Sequence, residues 1–516
     1  MHPVTPAVKG WKVFAAVLAL VAYNAADDVR DLVDVIGRGA WWYLALAIAV
    51  VTLVGFGYSA IAWRMTRFAV TDDAVHLRSG VVFRQQRQAR LDRLQAVDVV
   101  QPLLARILGL AELRLEVAGG AGSAVSLAFL RETDAEQLRA ELLARAAGLH
   151  RRRPASAANP AATSAPAGSG PVVGRVDDPA AAVVPGASGA ALPVPDHGTG
   201  EHALSDDLHD DHDAGYEGDA PVAPERPVYE VPVGRLLAST LLSGATGWMV
   251  VVVVGVIVSI VLAGTIEPAI ALLPAMFGIV SFVWNRFNRG ANFRAAISPD
   301  GIRLRHGLTE SRAQTVPPGR VQAVQISQPL LWRRRDWWRV EVNVAGYGSG
   351  ADSAQAAENV LLPVGTRDEA LLALWLVLPD LGTADPRALV DDGLTGRSGD
   401  GLFAVAPRRA RWLDPIGWRR HGVAVSDRAL LMRSGVLHRH LMVVPHERTQ
   451  SLGLAQGPVE RRLGLATFEV HSTPGPVLPA VHHLDARVAA GLLDEQSTRA
   501  RTARAAAGPE QWMRRA

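Results

Sequence analysis

The chain contains no cysteine, and its only lysines are Lys9 and Lys12. The absence of cysteine excludes disulfide bridges, thiolate metal sites and cysteine nucleophiles. Arginine supplies nearly all of the positive charge, which is typical of a GC-rich genome rather than of an arginine-specific binding role. The formal net charge of +3 is too small to indicate nucleic acid as a partner.

Four long apolar stretches interrupt a chain of 516 residues, which has room for several domains. About 20 apolar residues are needed for a helix to cross a bilayer. The stretches that qualify or come close are Val13–Ala26, Gly39–Trp63, Leu236–Ile266 and Pro268–Trp284. They predict two transmembrane hairpins, at residues 11–63 and 235–285.

Basic residues lie on one side of both predicted hairpins. Lys9 and Lys12 precede the first apolar stretch, and Arg64 follows the first hairpin. Arg235 precedes the apolar residues of the second hairpin, and Arg286 follows them. By the positive-inside rule, both chain termini and everything outside the hairpins are then cytoplasmic. The alternative is that the first apolar stretch is a cleaved signal peptide, since a basic start precedes it.

Three segments of the chain repeat one another. Val70–Gly80 recurs as Val425–Gly435 and, more loosely, as Ile297–Gly307. A block with one arginine and two glutamines follows each segment at the same spacing: Arg93, Gln95 and Gln101; Arg320, Gln322 and Gln328; Arg448, Gln450 and Gln456. This ungapped agreement indicates that one structural unit was copied.

Each copy is predicted to form β structure closed by a helix. Alternating apolar and polar residues around an Asp-containing turn are typical of a β-hairpin. A short helical turn is predicted at Leu103–Leu110 after the Arg-x-Gln strand. The closing helices are predicted at Thr133–Ala147, Arg367–Leu378 and Asp485–Arg501. Strands followed by one terminal helix imply a small barrel or sandwich that the helix plugs.

These motifs resemble the bacterial pleckstrin-homology-like (PH-like) domain. The resemblance rests on the hairpin Thr71–Gly80, on the Arg-x-Gln-x-Val block and on Gly109-Leu110 before a strand. The order of helix hairpins and three such domains is similar to that of the YdbS/YdbT family of membrane proteins. The resemblance implies a multidomain protein of the bacterial plasma membrane with three PH-like β-barrels, each a bent antiparallel sheet capped by a C-terminal helix.

The predicted organisation has six parts: transmembrane hairpin 1 at 11–63, PH-like domain 1 at 64–148, a disordered linker at 149–231, transmembrane hairpin 2 at 235–285, PH-like domain 2 at 290–380 and PH-like domain 3 at 415–502. The linker is rich in Ala, Pro, Gly and Asp and cannot bury enough apolar surface to fold. Its histidines, among them His209 and His212, lie between aspartates but match no defined metal site. We predict no cofactor and no functional metal.

Two clusters of tryptophan and arginine predict contact with lipid headgroups, where indole rings and guanidinium groups are favoured. Their members are Trp332, Arg333, Arg334, Arg335, Trp337, Trp338, Trp412, Trp418, Arg419 and Arg420. The alternative is that they form an exposed helix edge or a contact between domains. For the repeated arginines and glutamines we favour structural hydrogen bonds, because every copy carries them; the alternative is a shared anion or peptide site.

No catalytic constellation is visible. The glycine-rich Gly346–Gly350 lacks the Lys-Ser/Thr of a phosphate loop, and the chain has no Gly-x-Ser-x-Gly elbow. The leading hypothesis is a non-catalytic, membrane-anchored scaffold. Its partners would be the lipid bilayer and a protein, either a smaller PH-like membrane protein or a second copy. The alternatives are an anionic-lipid sensor and an accessory component of an export or transport complex.

Overall fold

The computed structural model contains four antiparallel sheets in the part of the chain that it describes. The described residues are 41–71, 74–80, 84–91, 94–117, 125–146, 226–264, 267–298, 301–317, 319–345, 359–396 and 401–507. The predicted helix Val13–Ala26, the glycine-rich Gly346–Gly350 and the linker histidines lie outside these ranges.

Module 1 follows an apolar helix and comprises residues 67–146. Its elements are α1 (Trp41–Arg64), β1 (Arg67–Val70), β2 (Ala74–Ser79), β3 (Gln85–Arg90), β4 (Leu94–Pro102), α2 (Leu103–Ile107), β5 (Leu110–Val117), β6 (Val125–Arg131) and α3 (Glu132–Ala146). The short helical turn and the closing helix are therefore confirmed.

Module 2 comprises one strand before three apolar helices and residues 294–377 after them. Its elements and those helices are β7 (Arg226–Glu230), α4 (Val233–Leu241), α5 (Gly244–Ala263), α6 (Glu267–Gly290), β8 (Arg294–Ser298), β9 (Gly301–His306), β10 (Glu310–Val316), β11 (Val321–Pro329), β12 (Trp338–Val344), β13 (Val360–Gly365) and α7 (Arg367–Val377). A 3-10 segment, Leu330–Arg335, joins β11 to β12.

Module 3 comprises residues 404–506 and is preceded by a helix that we did not predict. The elements are α8 (Pro386–Thr395), β14 (Ala404–Val405), β15 (Gly422–Val425), β16 (Ala429–Ser434), β17 (His438–Pro445), β18 (Ser451–Ala455), α9 (Pro458–Leu463), β19 (Leu465–His471), β20 (Ala480–Asp485) and α10 (Ala486–Ala506). Short 3-10 segments, Arg408–Trp412 and Trp418–Arg420, lie between β14 and β15.

The repeated hairpin motif reflects the same turn chemistry in each module. The hydroxyls of Thr71, Ser298 and Ser426 donate to carbonyls three residues further on, at 2.8, 3.2 and 3.0 Å. The glycine that ends the motif has a positive φ of +111° at Gly307 and +76° at Gly435. A Cβ at either of these two glycines would lie 1.9 Å from a carbonyl oxygen, which explains why glycine recurs there.

A hydrophobic core lies beneath the closing helix of each module, and the core of module 2 continues into module 3 through Leu431, Leu441 and Val443. In module 1, Leu77 of β2, Leu113 of β5 and Leu138 of α3 belong to one buried cluster. The cores of modules 2 and 3 combine their early and late strands in the same way. Two half-sheets closed by a terminal helix match the predicted PH-like arrangement.

The sheets run from one module into the next, which the sequence did not predict. Two sheets have three strands, in the orders β1-β2-β3 and β18-β19-β20. The other two have seven strands, in the orders β6-β5-β4-β10-β9-β8-β7 and β13-β12-β11-β17-β16-β15-β14. Strand β4 therefore joins module 1 to module 2, and β11 joins module 2 to module 3.

The predicted span Leu236–Ile266 differs from the structure, which divides it at Ser243. The hydroxyl of Ser243 caps α5, and the hydroxyl of Thr246 donates to the carbonyl of Thr240 at 2.8 Å. These polar side chains satisfy backbone groups at the break, so α4 and α5 are separate helices. In the described part of the chain, no single helix has both the length and the apolar character to cross a membrane. Val233–Leu241 and Thr246–Leu262 meet both conditions only as a pair bent by 50°.

Candidate functional site

The two junctions between modules have the same register. In the first junction, Ser311 of β10 lies opposite Gln101 of β4. In the second, Arg439 of β17 lies opposite Gln328 of β11. Ser311 and Arg439 precede the repeated Arg320 and Arg448 by the same number of residues. Modules 2 and 3 therefore each pair with the preceding module through equivalent strands in the same register.

Side chains also connect the modules at these junctions. The guanidinium of Arg439 donates to Oε1 of Gln328 at 3.3 Å, and that of Arg139 in α3 donates to the hydroxyl of Thr315 in β10. Asn343 of β12 is buried, and its Nδ2 donates to the carbonyl of Val477 at 2.7 Å. The amide of Val477 donates back to Oδ1 of Asn343 at 3.0 Å. Backbone pairing and buried side chains thus hold adjacent modules together.

The repeated arginines and glutamines take several structural positions. Gln101 and Gln328 are buried at the junctions, and Gln322 donates to the carbonyl of Arg320 at 3.2 Å. Gln450 and Gln456 are exposed, and Gln456 donates to the carbonyl of Leu465 at 2.7 Å. The guanidinium of Arg448 lies close to Gly319 of module 2. Arg93 and the side chain of Gln95 lie outside the described part of the chain.

The first predicted lipid cluster requires a correction, because Trp332 and Trp338 are buried. The Nε1–H of Trp332 donates to the carbonyl of Ser239 in α4 at 3.1 Å, and that of Trp338 donates to Asp336 at 2.8 Å. Arg333 donates to the carbonyl of Val436 in module 3. Trp332 and Arg333 therefore connect distant parts of the protein, whereas the bond of Trp338 to Asp336 is local. The two buried indoles cannot reach lipid headgroups.

The rest of the first cluster lies nearer the surface. Arg334 and Arg335 are exposed and Trp337 is half-buried. The guanidinium carbon of Arg335 lies 5.9 Å from the ring centroid of Trp337, within the range of a cation–π contact. These three residues keep the surface position that a headgroup contact requires.

The second predicted cluster is largely exposed. Trp412 is 74% exposed, and nearby Ile416 is 65% exposed. The guanidinium carbon of Arg411 lies 5.5 Å from the ring centroid of Trp412, and that of Arg419 lies 5.4 Å from the ring of half-buried Trp418. Arg420 is the exception and a second correction. It is buried, and its guanidinium donates to the carbonyls of Gly396 and Gly393 at 2.7 and 3.1 Å.

A buried ion pair beside Arg420 was missed by sequence reasoning. The guanidinium of Arg433 in β16 is fully buried and donates to both the carbonyl and the carboxylate of Asp392 in α8, each at 3.0 Å. It also stacks over Phe403, with 4.6 Å from its central carbon to the ring centroid. Burial lowers the pKa of Arg433, and Asp392 opposes this shift. Asp392 therefore fixes α8 against module 3.

Three histidines of module 3 lie near two carboxylates. The rings of His482 and His483 are each 5.9 Å from that of His421, which donates from Nε2 to Asp414 at 2.8 Å. His483 donates from Nδ1 to Glu460 at 2.9 Å. Burial lowers the pKa of His421, although Asp414 favours the charged ring. No group in the described ranges has three ligands placed to hold a metal ion.

The sequence of these modules matches the model of a known protein family. The model of the bacterial PH domain matches residues 14–146, 238–371 and 376–497, which together exceed half of the chain. The transmembrane protein YdbT of Bacillus subtilis (strain 168) is 27% identical over 99 residues, which cover 19% of this chain and 20% of that protein. The match thus spans about a fifth of the length of this relative. No solved structure matches the chain. The chain belongs to the bacterial PH domain family, as a protein with three copies of the domain.

Proposed function

We propose that the protein is a non-catalytic scaffold anchored in the bacterial plasma membrane, with its three PH-like modules in the cytoplasm. The similarity to the transmembrane protein YdbT supports membrane association. The first two matches to the family model begin at residues 14 and 238, so they include the apolar stretches that precede modules 1 and 2. We propose that these stretches form the hairpins at 11–63 and 235–285.

The observation that carries the scaffold proposal is the repeated junction between modules. Two seven-stranded sheets each combine strands from two neighbouring modules. Main-chain hydrogen bonds give such strand addition its affinity, and the register fixes the relative position of the partners. The three modules therefore form a single array whose surfaces keep constant spacing, which suits the assembly of other proteins.

The array is also attached to the helices of the proposed second hairpin. Trp332 of module 2 bonds to Ser239 of α4, and Arg235 of α4 forms an ion pair with Glu369 of α7. A Cβ at Gly290, the last residue of α6, would lie 2.8 Å from the side chain of Leu236. These contacts would hold module 2 at a fixed orientation to the bilayer.

A cut in the linker tests whether the junctions hold the array together. We insert a specific protease site among residues 160–200 of the full-length protein and cleave it in detergent. The fragment with module 1 should stay bound to the fragment with modules 2 and 3, because β4 and β10 remain paired. A matched sample with Ala313→Pro, which removes an amide from the junction strand, should release module 1. Separation of the unsubstituted fragments after cleavage would contradict the scaffold proposal.

Lipid sensing is a second candidate, favoured by the exposed Trp412 segment. The third family match begins at residue 376 and has the 3-10 segments around Trp412 where the first two matches have apolar helices. An exposed indole beside Arg411, Arg419 and Ile416 offers both apolar area and charge for an anionic bilayer surface. In this proposal the segment around Trp412 inserts into the headgroup region of the bilayer.

A fluorophore at position 412 tests the lipid contact. Because the chain has no cysteine, Trp412→Cys can be labelled with an environment-sensitive dye in the full-length protein. In proteoliposomes we expect a blue-shifted emission when phosphatidylglycerol is added to phosphatidylcholine, since the dye enters a less polar layer. The same dye on exposed Thr498→Cys in α10 should show no shift. Equal spectra for both positions in both lipids would rule out the contact.

A further inference from the structure

Strands β3 of module 1 and β18 of module 3 each pair with one strand, whereas the corresponding strands of the other modules pair with two. Strands β10 and β17 pair with a strand of their own module and with a strand of the preceding module. Their counterpart β3 pairs with β2 only. Strands β4 and β11 are likewise paired on both sides, whereas their counterpart β18 pairs with β19 only. Among the described strands, β3 is thus an edge strand in module 1 of the kind that pairs with a preceding module. At the other end of the array, β18 is an edge strand in module 3 of the kind that pairs with a following module.

Both edges are accessible. The side chains of Gln85, Gln86, Arg87 and Gln88 in β3 are all exposed. In β18, Ser451 and Ala455 are exposed, and Leu454 is 42% exposed. Edge strands of this kind serve as templates for strand addition. Their counterparts inside the chain are occupied by β4–β10 and β11–β17 pairing.

The residues that meet at the second junction recur at the two unpaired edges. Arg84 stands at the repeat position of Arg439, and Gln456 stands at that of Gln328. Inside the chain, Arg439 donates to the side-chain oxygen of Gln328 at 3.3 Å. The amide nitrogen of Gln456 already donates to the carbonyl of Leu465, so its oxygen is the group suited to accept from an arginine. Arg84 and Gln456 are both exposed.

A second match involves charge. The same register would place Arg87 opposite Gly453, whose partner on the other side is Glu469 of β19. Gly453 has no side chain, and a Cβ there would lie 3.7 Å from the carboxylate of Glu469. An arginine on the far side of Gly453 can therefore reach that carboxylate along the same face of the sheet. At the second junction, Gln325 fills the position of Gly453 and donates to Glu341 at 3.4 Å.

We propose that copies of this chain associate head to tail, with β3 of one copy added to β18 of the next. The proposal rests on the scaffold function and names its partner as a second copy of the chain. The new sheet would have the order β1-β2-β3-β18-β19-β20, with Gln85 opposite Ala455 and Arg84 opposite Gln456. Because the two edges differ, the contact is heterologous and produces a ring or an open row rather than a twofold dimer.

Disulfide trapping in native membranes tests this register, since the chain has no cysteine of its own. Gln85→Cys and Ala455→Cys in one chain should give a ladder of linked dimers, trimers and larger species under mild oxidation. A control that pairs Gln85→Cys with Ser451→Cys moves the second thiol beyond disulfide reach, and its yield should fall at least about tenfold. Each single substitution alone should give no ladder. An absent ladder, or equal ladders from both pairs, would overturn the proposal.

Charge reversal provides a second test that leaves the strand backbone intact. Arg84→Glu combined with Arg87→Glu should abolish the ladder of the 85/455 pair. The matched control is Arg90→Glu in the same strand. Its repeat positions in modules 2 and 3 are Pro317 and Pro445, which lie outside the β4–β10 and β11–β17 pairings. Position 90 should therefore lie outside the new contact as well. The control should keep the ladder, and its loss there would overturn the register.

Sedimentation of the same samples separates this proposal from the scaffold function. Membrane-bound protein without a ladder refutes only the head-to-tail contact. Protein that leaves the membrane at alkaline pH but still forms the ladder refutes only the membrane anchor.

Discussion

Replacement of Trp332 by alanine is expected to destabilise module 2 by about 3–5 kcal/mol, the usual cost of removing a large buried aromatic side chain. The side chain is fully buried, and its Nε1–H bonds to Ser239 of α4. The loss should raise the hydrogen-exchange rates of amides in β11 and β12 by roughly 10²-fold or more. The measurement is hydrogen exchange by mass spectrometry on the full-length protein in detergent.

Trp412→Ala is the matched control for this prediction. Trp412 is also a tryptophan of a Trp/Arg cluster, but it is 74% exposed. We expect a change within about 0.5 kcal/mol, as for ordinary surface substitutions. Similar effects of the two substitutions would show that the position of Trp332 in the core is wrong.

Replacement of Asp392 by alanine is expected to cost about 3–5 kcal/mol, because it leaves the guanidinium of Arg433 buried without its carboxylate. The carboxylate accepts from Arg433 at 3.0 Å and from the amide of Leu402 at 2.8 Å. The substitution should therefore expose the amides of α8 and β16 together. Hydrogen exchange in these two elements, compared with β1 and β2 of module 1, measures the effect.

An exposed pair of the same kind is the control. Asp368 pairs with Arg387 at 3.0 Å, and 84% and 68% of these two side chains are exposed. Ion pairs in water contribute little, so Asp368→Ala should change stability by less than about 1 kcal/mol. If Asp392→Ala leaves α8 and β16 as protected as before, the buried pair does not hold α8 against module 3.

The sequence predicted the helices and strands of each module better than the pairing of strands between modules. The repeat and its turn residues located the hairpins and the closing helices. The pairing of β4 with β10 was not predictable in this way, because backbone hydrogen bonds carry the junction and every strand offers these groups. The recurrence of Gln101, Gln328 and Gln456 favoured a shared structural role, which stays a prediction. The position of Gln101 and Gln328 beside the neighbouring module became visible only in the fold.

The first Trp/Arg cluster shows why composition alone could not assign its role. Indole and guanidinium groups suit a membrane interface, but the same groups suit a contact between domains once their polar atoms find partners. The indole of Trp332 bonds to Ser239, which is distant in the sequence, and that of Trp338 bonds to Asp336. No sequence motif marks Ser239 as a partner of Trp332. The Trp412 cluster has the same composition but remains exposed.

The break in the apolar stretch at Ser243 was hidden by its mean hydropathy. A window of about 20 residues averages Ser239, Thr240, Ser243 and Thr246 with their apolar neighbours. In the structure these side chains bond to nearby backbone groups, and they separate α4 from α5. A search for clustered hydroxyl residues at helix-capping spacing would have located the break.

Cysteine accessibility across the membrane tests the central proposal most directly. Single cysteines replace Asp31 and Glu267 in the two predicted hairpin connections, and Ser497 at a partly exposed position of α10. An impermeant maleimide is applied to intact cells and then to permeabilised cells. We predict that positions 31 and 267 react in intact cells, whereas position 497 reacts only after permeabilisation. Protection of both connections in intact cells, or labelling of position 497 there, would contradict a membrane-anchored scaffold with cytoplasmic modules.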